Sequence, residues 1–233
     1  MESLGVKRLA TIAEDEYRII QDMRAAYLKY GDRVATRVVD LQNARLTDGK
    51  YHRVFCIVKG MLSAGLKLDL NIAAGHVLTR YMIQHGNPSS SDTESMIGVL
   101  RDEGLFEGRS PGQAVKNIAD ASDFILGASD SDMTYGNLIQ IRGVGPKIAS
   151  WILSLYFGDV RRFTLDVHMF RGLFGTGRAT TDNVHQQAEE ILLQWCEREF
   201  PGVPPLVIQW SVWCHYRGDV WDNHDGIIRA EVQ

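Results

Sequence analysis

The stretch Asn137–Arg171, NLIQIRGVGPKIASWILSLYFGDVRRFTLDVHMFR, decides how this chain is read. At its centre stands Arg142-Gly143-Val144-Gly145-Pro146-Lys147. After it, Ile148, Ala149, Ile152, Leu153 and Tyr156 recur at the spacing of a helix with one buried face. Gly143 and Gly145 permit a tight reversal between two helices, because glycine tolerates positive φ and close backbone approach. Val144 anchors such a turn by burying its side chain. Pro146 suits the first turn of the second helix, where its missing N–H costs nothing. The other first-turn N–H groups have no helical acceptor and can hold a backbone phosphate. Such a grip reads no base and suits a protein that scans DNA. The same letters also suit an ordinary junction between two helices, and GVGP alone does not separate the two readings.

Working outward, Lys147 falls in the first turn of the second helix, and Asp166 follows nineteen residues later, beyond the polar turn GDVRR at 158–162. A helix leads away from Lys147 and the chain then turns back, so the two side chains can share a cleft. Taken singly, each has a plainer reading: a solvated surface lysine, and an aspartate capping the helix that begins at Val167. His168 and Arg171 come next. His168 suits either the DNA backbone or a packed core, and Arg171 either a phosphate or a salt bridge.

With these residues in place, the segment resembles the helix–hairpin–helix DNA glycosylase superfamily, which includes endonuclease III and the 8-oxoguanine DNA glycosylases. Gly143, Val144, Gly145 and Lys147 match the family's Leu-x-Gly-Val-Gly-x-Lys hairpin; Leu165, Asp166, His168 and Arg171 match its Val-Asp-x-His-x-x-Arg. The spacing from lysine to aspartate is closer to the 8-oxoguanine branch. Weaker likenesses lie at Phe55–Asn71, Leu105–Ile118 and Val207–Gly218, so the resemblance covers about residues 51–218. It implies an all-α, two-lobed fold with the active site in the cleft between lobes. One lobe is expected from 1–69 packed with 161–233, the other from 70–160, with the helix–hairpin–helix at about 137–157.

The resemblance also implies roles. Lys147 is the nucleophile at the anomeric carbon, forming a Schiff base that leads on to AP-lyase strand cleavage; some family members lack this lysine and activate water. Asp166 is the carboxylate that stabilises positive charge developing on the sugar. An amine attacks only in its neutral form, which desolvation favours. Gly143, Val144, Gly145, His168 and Arg171 are the DNA contacts. Reaching the sugar bond requires the base to leave the stack, and a side chain fills the hole. Gly65 stands where the family has the glutamine that does part of this work, leaving Leu66 or Phe106 as wedge candidates, each equally readable as core. Trp151, one helical turn after Lys147, and Gln209, Trp213 and Tyr216 in the aromatic run QWSVWCHYR are candidates for the base pocket, each with a plain core reading beside it.

Composition sets the limits. The chain has 233 residues, 45% hydrophobic and 23% charged, enough for one large domain or two fused helical lobes. The formal net charge of −4 runs against a wholly basic nucleic-acid binder, so DNA binding requires a local basic face. Cys56, Cys196 and Cys214 form no Cys-x-x-Cys pair, which leaves no iron–sulfur cluster of the endonuclease III type. No cofactor is expected. A cation at the Gly143 and Gly145 carbonyls is a further implication of the resemblance, and the tail residues Asp219, Asp222, His224 and Asp225 offer a metal-site reading against a plainer polar surface. The N-terminus has no apolar core of a signal peptide, and no apolar run reaches the ~20 residues of a membrane span. The expectation is a cytoplasmic monomer acting on double-stranded DNA with a damaged or modified base.

Oxidised guanine is the substrate the spacing favours. A bulky modified pyrimidine, as in phage DNA, is the second reading, with a role in defence. A non-catalytic DNA-binding module that uses only the hairpin is the third, and a metal-dependent nuclease the fourth. Along the rest of the chain the apolar spacing predicts one or two helices over 8–30, an ambiguous 34–46, a turn at 47–50, and helices over 51–64, about 70–85 and 113–126. Asp92 or Thr93 is expected to cap a helix carrying Met96, Ile97, Val99 and Leu100.

Overall fold

The computed structural model describes residues 15–63, 68–105, 112–157, 163–175 and 182–217. Among them the fold is all-α, with eleven helices and no strand. None of these helices is long and apolar enough to cross a membrane.

Helix α1 runs without a break over Glu16–Thr47, through the segment whose sequence is ambiguous between helix and strand. The reason is tertiary. Ile19, Met23, Ala26, Tyr30, Val34, Val38 and Leu41 recur every three or four residues and are all buried. Burying one such side chain stabilises by roughly 1.5–3 kcal/mol, more than the weak helix propensity of a valine costs. The Tyr27 ring lies over Gly31, 2.6 Å from where a Cβ would stand. The turn expected at 47–50 is only a tight break. Asp48 ends α1, and its side chain accepts from Tyr51 N at 3.0 Å to cap α2, Gly49–Leu62.

Helix α2 is the centre of the first core. It packs on α3 (Leu68–His85) and on α8 (Pro146–Phe157), where Gly60 leaves the space that Ile152 occupies. A 3-10 turn, Ser90–Asp92, leads into α4, Thr93–Asp102. Asp92 does not cap α4; its carboxylate accepts from Ser89 N at 2.8 Å and closes the turn before it. The single helix expected over 113–126 is two, α5 (Gly112–Asp120) and α6 (Ser122–Gly127). The break at Ala121 lets Ser122 Oγ donate to the Pro88 carbonyl at 2.8 Å. Sequence spacing does not reveal that long-range bond. Helix α7 is short, Tyr135–Leu138, and is capped by Thr134, whose hydroxyl accepts from Asn137 N.

After α8 come α9 (Val167–Phe174), α10 (Asp182–Glu199) and α11 (Pro205–Arg217). Buried side chains of α2–α8, with Leu41 of α1, make the first apolar cluster. The second joins Ile19–Ala26 of α1 to Phe163–Leu173 and to α10 and α11. A smaller third cluster lies between the middle of α1 and α11. Lys147 therefore stands on an element of the first cluster, and Asp166 on a segment of the second. All three cysteines are buried, and none forms a disulfide.

Candidate functional site

The hairpin between α7 and α8 is anchored from below. Leu138, Ile141 and Val144 are buried, and Val144 N donates to the Ile141 carbonyl at 2.9 Å. Gly143 has φ +89°, a conformation that penalises any residue with a Cβ. A Cβ there would also run into the Asn117 side-chain amide, which supports the turn from α5. Gln113 fixes that amide, its Nε2 donating to Asn117 Oδ1 at 2.9 Å. Gly145 differs from Gly143. Its φ is not positive, and no atom lies within 4 Å of where its Cβ would be. Its carbonyl accepts from Ala149 N at 3.0 Å and opens α8. The N–H groups of Lys147 and Ile148 precede the first helical bond and so have no acceptor within the helix. Lys147 is half-buried, and among the described residues its amine makes no hydrogen bond or ion pair.

Asp166 is the N-cap of α9. One carboxylate oxygen, Oδ1, accepts from His168 N and Met169 N, both at 2.9 Å. The other, Oδ2, accepts from the Trp213 indole Nε1 at 2.9 Å. The plain capping role and a fixed, half-buried carboxylate are thus one arrangement. The extended segment 163–166 that carries it is held by side chains of later helices. Gln209 Oε1 accepts from Thr164 N at 3.0 Å, and His185 Nε2 donates to the Leu165 carbonyl at 3.2 Å.

Two of the four pocket candidates therefore serve the Asp166 segment directly. Gln209 is buried with its oxygen on Thr164, and Trp213 holds Asp166 itself. Tyr216 is set apart from them: its hydroxyl donates to Asp22 of α1 at 2.8 Å, and its ring fills the space left by Gly172. Burial and the Asp22 bond both raise its phenol well above the ordinary range. Trp151 is half-buried on α8, one turn beyond Lys147. His168 is half-buried and Arg171 is exposed on α9. Leu66 and Phe106 lie outside the described residues, as do Asp219, Asp222, His224 and Asp225. Among the described residues no three His, Cys, Asp or Glu side chains gather as a metal site.

Sequence reading passed over two polar features beside this site. Lys59 of α2 is only 2% exposed, and its amine stands 5.2 Å from the centre of the Trp151 ring. Burial, reinforced by the nearby Arg37, brings its pKa down to about 7. Arg37 is itself lowered to about 10 by burial, and His52 to about 4. The signal was a lone lysine inside the apolar run CIVKGML. The second feature is a buried chain of contacts on α10. Ser150 Oγ donates to Glu189 Oε1 at 2.9 Å, and His185 Nδ1 lies 3.4 Å from the same oxygen. In sequence these are only an i,i+4 pair on an amphipathic helix.

The arrangement offers an amine at a helix start, a carboxylate clamped by three donors, and a glycine elbow that is packed at Gly143 and open at Gly145. Compared with family models, with curated proteins and with solved structures, the chain has no significant match in any of the three.

Proposed function

We propose that the chain is a DNA glycosylase of the helix–hairpin–helix kind, with Lys147 as nucleophile and Asp166 as the carboxylate that stabilises the sugar cation. The observation that carries the reading is the clamp on Asp166. Three N–H donors fix the carboxylate while leaving it half-exposed, as charge stabilisation by preorganised groups requires. Capping alone would be met by the two backbone bonds. The indole bond fixes the second oxygen as well.

Gly145 supports the same reading from the hairpin side. Gly143 is required by the protein's own backbone, whereas neither conformation nor packing requires Gly145. A phosphate drawn to the first-turn N–H groups of α8 would use the space a Cβ would fill. The first two apolar clusters are the two lobes of this proposal, which puts the active-site cleft between them. The target base leaves the stack and enters beside Trp151. Oxidised guanine is the substrate class the spacing of Lys147 and Asp166 favours.

The test is a base-release screen of the full chain on duplexes carrying oxidised, alkylated, deaminated or hypermodified bases. Release from oxidised guanine is expected. Release only from a bulky pyrimidine would move the substrate and keep the chemistry. Duplex binding with no release from any of them would reduce the protein to a binding module and end the proposal.

A further inference from the structure

Phe163 and Leu165 turn into the second apolar cluster and are fully buried there. Side chains of an extended chain alternate, so Thr164 and Asp166 share the opposite face. Helix α11 lies along that face and meets it twice. Gln209 Oε1 accepts from Thr164 N, and Trp213 Nε1 donates to Asp166 Oδ2. Two residues of extended chain advance about 6.5 Å, and the four from Gln209 to Trp213 rise about 6 Å. The two bonds are therefore rungs in register. Asp166 is half-buried, and the Gln209 rung lies one step further in.

The Asp166 rung is complete, and the Gln209 rung is not. Thr164 N is a donor, so it fixes the amide with its oxygen toward the segment and its N–H2 turned away. Among the described residues that N–H2 makes no hydrogen bond. Thr164 Oγ1 is buried and has no hydrogen-bond partner. Thr164 is 6% exposed and Gln209 3%. A buried polar group left in this way destabilises the fold, and native structures hold few of them. Neither group is needed to hold the segment, because the Gln209 oxygen does that alone.

The complement of the pair follows from its chemistry. An amide N–H2 can only donate, and a hydroxyl can donate beside it. A carbonyl oxygen has two lone pairs and meets both donors. An exocyclic amine on a base would turn its own hydrogens toward the N–H2. A base whose sugar lies at Asp166 enters in the direction of this rung.

We propose that Thr164 Oγ1 and Gln209 Nε2 form a donor subsite, one rung from Asp166, that takes a carbonyl oxygen of the flipped base. The proposal rests on the glycosylase reading and narrows its substrate class to bases that present a carbonyl, not an amine, on the entering edge.

The experiment uses the full chain. Thr164→Val removes the hydroxyl and keeps the backbone bond to Gln209. With an unpartnered buried hydroxyl gone, its melting temperature should rise. Its kcat/KM for release of 8-oxoguanine should nonetheless fall roughly 10-fold, the worth of one hydrogen bond. Thr164→Ser should restore release. Gln209→Glu still accepts from Thr164 N but puts an oxygen where the N–H2 stood, and release should fall by more than in Thr164→Val. Release by Thr164→Val at the unaltered rate would overturn the proposal, and so would a lower melting temperature, which would make the hydroxyl structural. Nitrogen-15 spectra decide the subsite without turnover. The Gln209 side-chain amide signals, assigned by their absence from Gln209→Glu, are followed in Lys147→Gln. An 8-oxoguanine duplex should move them, and the same duplex with an abasic site should not. Equal shifts from both, or none from either, would overturn the subsite. Should the unaltered protein release no base from any duplex, the glycosylase reading falls, and these signals still decide whether a base is held at the rung.

Discussion

At its C-terminal end, helix α8 is tied down on every side. Tyr156 donates to the Asp130 carboxylate, which Arg45 of α1 also meets at 2.5 Å and Arg53 of α2 approaches at 4.0 Å. The Arg45 guanidinium lies over the Tyr156 and Phe157 rings. These contacts hold the Asp130 carboxyl below the usual carboxylate range, through the Tyr156 bond first and the Arg45 bond next. Twelve residues span the helix, and at its other end, among the described residues, Lys147 has no polar partner and nothing packs where a Cβ of Gly145 would stand. Among the described residues, the two ends of α8 thus differ in how fully their polar side chains are partnered.

If that division is right, the two ends should fail differently. The largest effect is expected at the site. Asp166→Asn should lower the base-release rate by about 10²–10³-fold, as loss of one preorganised charge-stabilising group does. The amide oxygen can still cap α9, but the amide N–H2 cannot accept from the Trp213 indole, so thermal denaturation should show a loss of about 1–3 kcal/mol from that bond. Next comes Tyr156→Phe, which should cost about 1.5 kcal/mol of stability through a lost bond to a charged group. Base release at a temperature where both proteins are folded should be unchanged. Loss of activity there would erase the distinction between the two ends.

Lys59 sharpens the comparison from beneath Trp151. Its pKa of about 7 in the folded chain lies below the ordinary 10.5, so the unfolded chain binds the extra proton between those values. Stability from this group is therefore least below about pH 7 and rises with pH above it, by up to about 1.4 kcal/mol per pH unit. Above about pH 9 the Cys56 thiol acts the other way. Burial pushes it to about 12 in the folded chain, while the unfolded thiol ionises near 9. Between pH 7 and 9, denaturant unfolding of Lys59→Met should show a shallower rise than the unaltered protein, and greater stability at pH 6. Equal slopes would mean that Lys59 is not held in a dry environment. The smallest effect is expected from Gly145→Ala. Its melting temperature should match the unaltered protein, with weaker binding to undamaged duplex as the only loss. An equally tight Ala variant would remove the phosphate from the elbow.

Much of this end of the molecule was legible in the residues themselves. Gly143 with Val144 encodes a reversal, Pro146 a helix start, and Asp166 a cap, because each acts on its immediate chain neighbours. The partners of Asp166 were not. Trp213 and Gln209 look like base readers in an aromatic run, and only the fold brings them to a segment more than forty residues earlier. His185 and Glu189 look like an ordinary solvated helical pair until Ser150 and Leu165 close around them. The same limit governs the fold. The continuity of α1 and the break at Ala121 both depend on long-range packing, which local spacing does not carry.

We propose that the Lys147 amine at the start of α8, which has no polar partner among the described residues, does the chemistry. Borohydride reduction during turnover of an 8-oxoguanine duplex, followed by mapping of the cross-linked peptide, tests it most directly. A covalent adduct is expected on Lys147 and should be absent from Lys147→Gln. An adduct on Lys59 or another lysine, or full base release by Lys147→Gln, would contradict it.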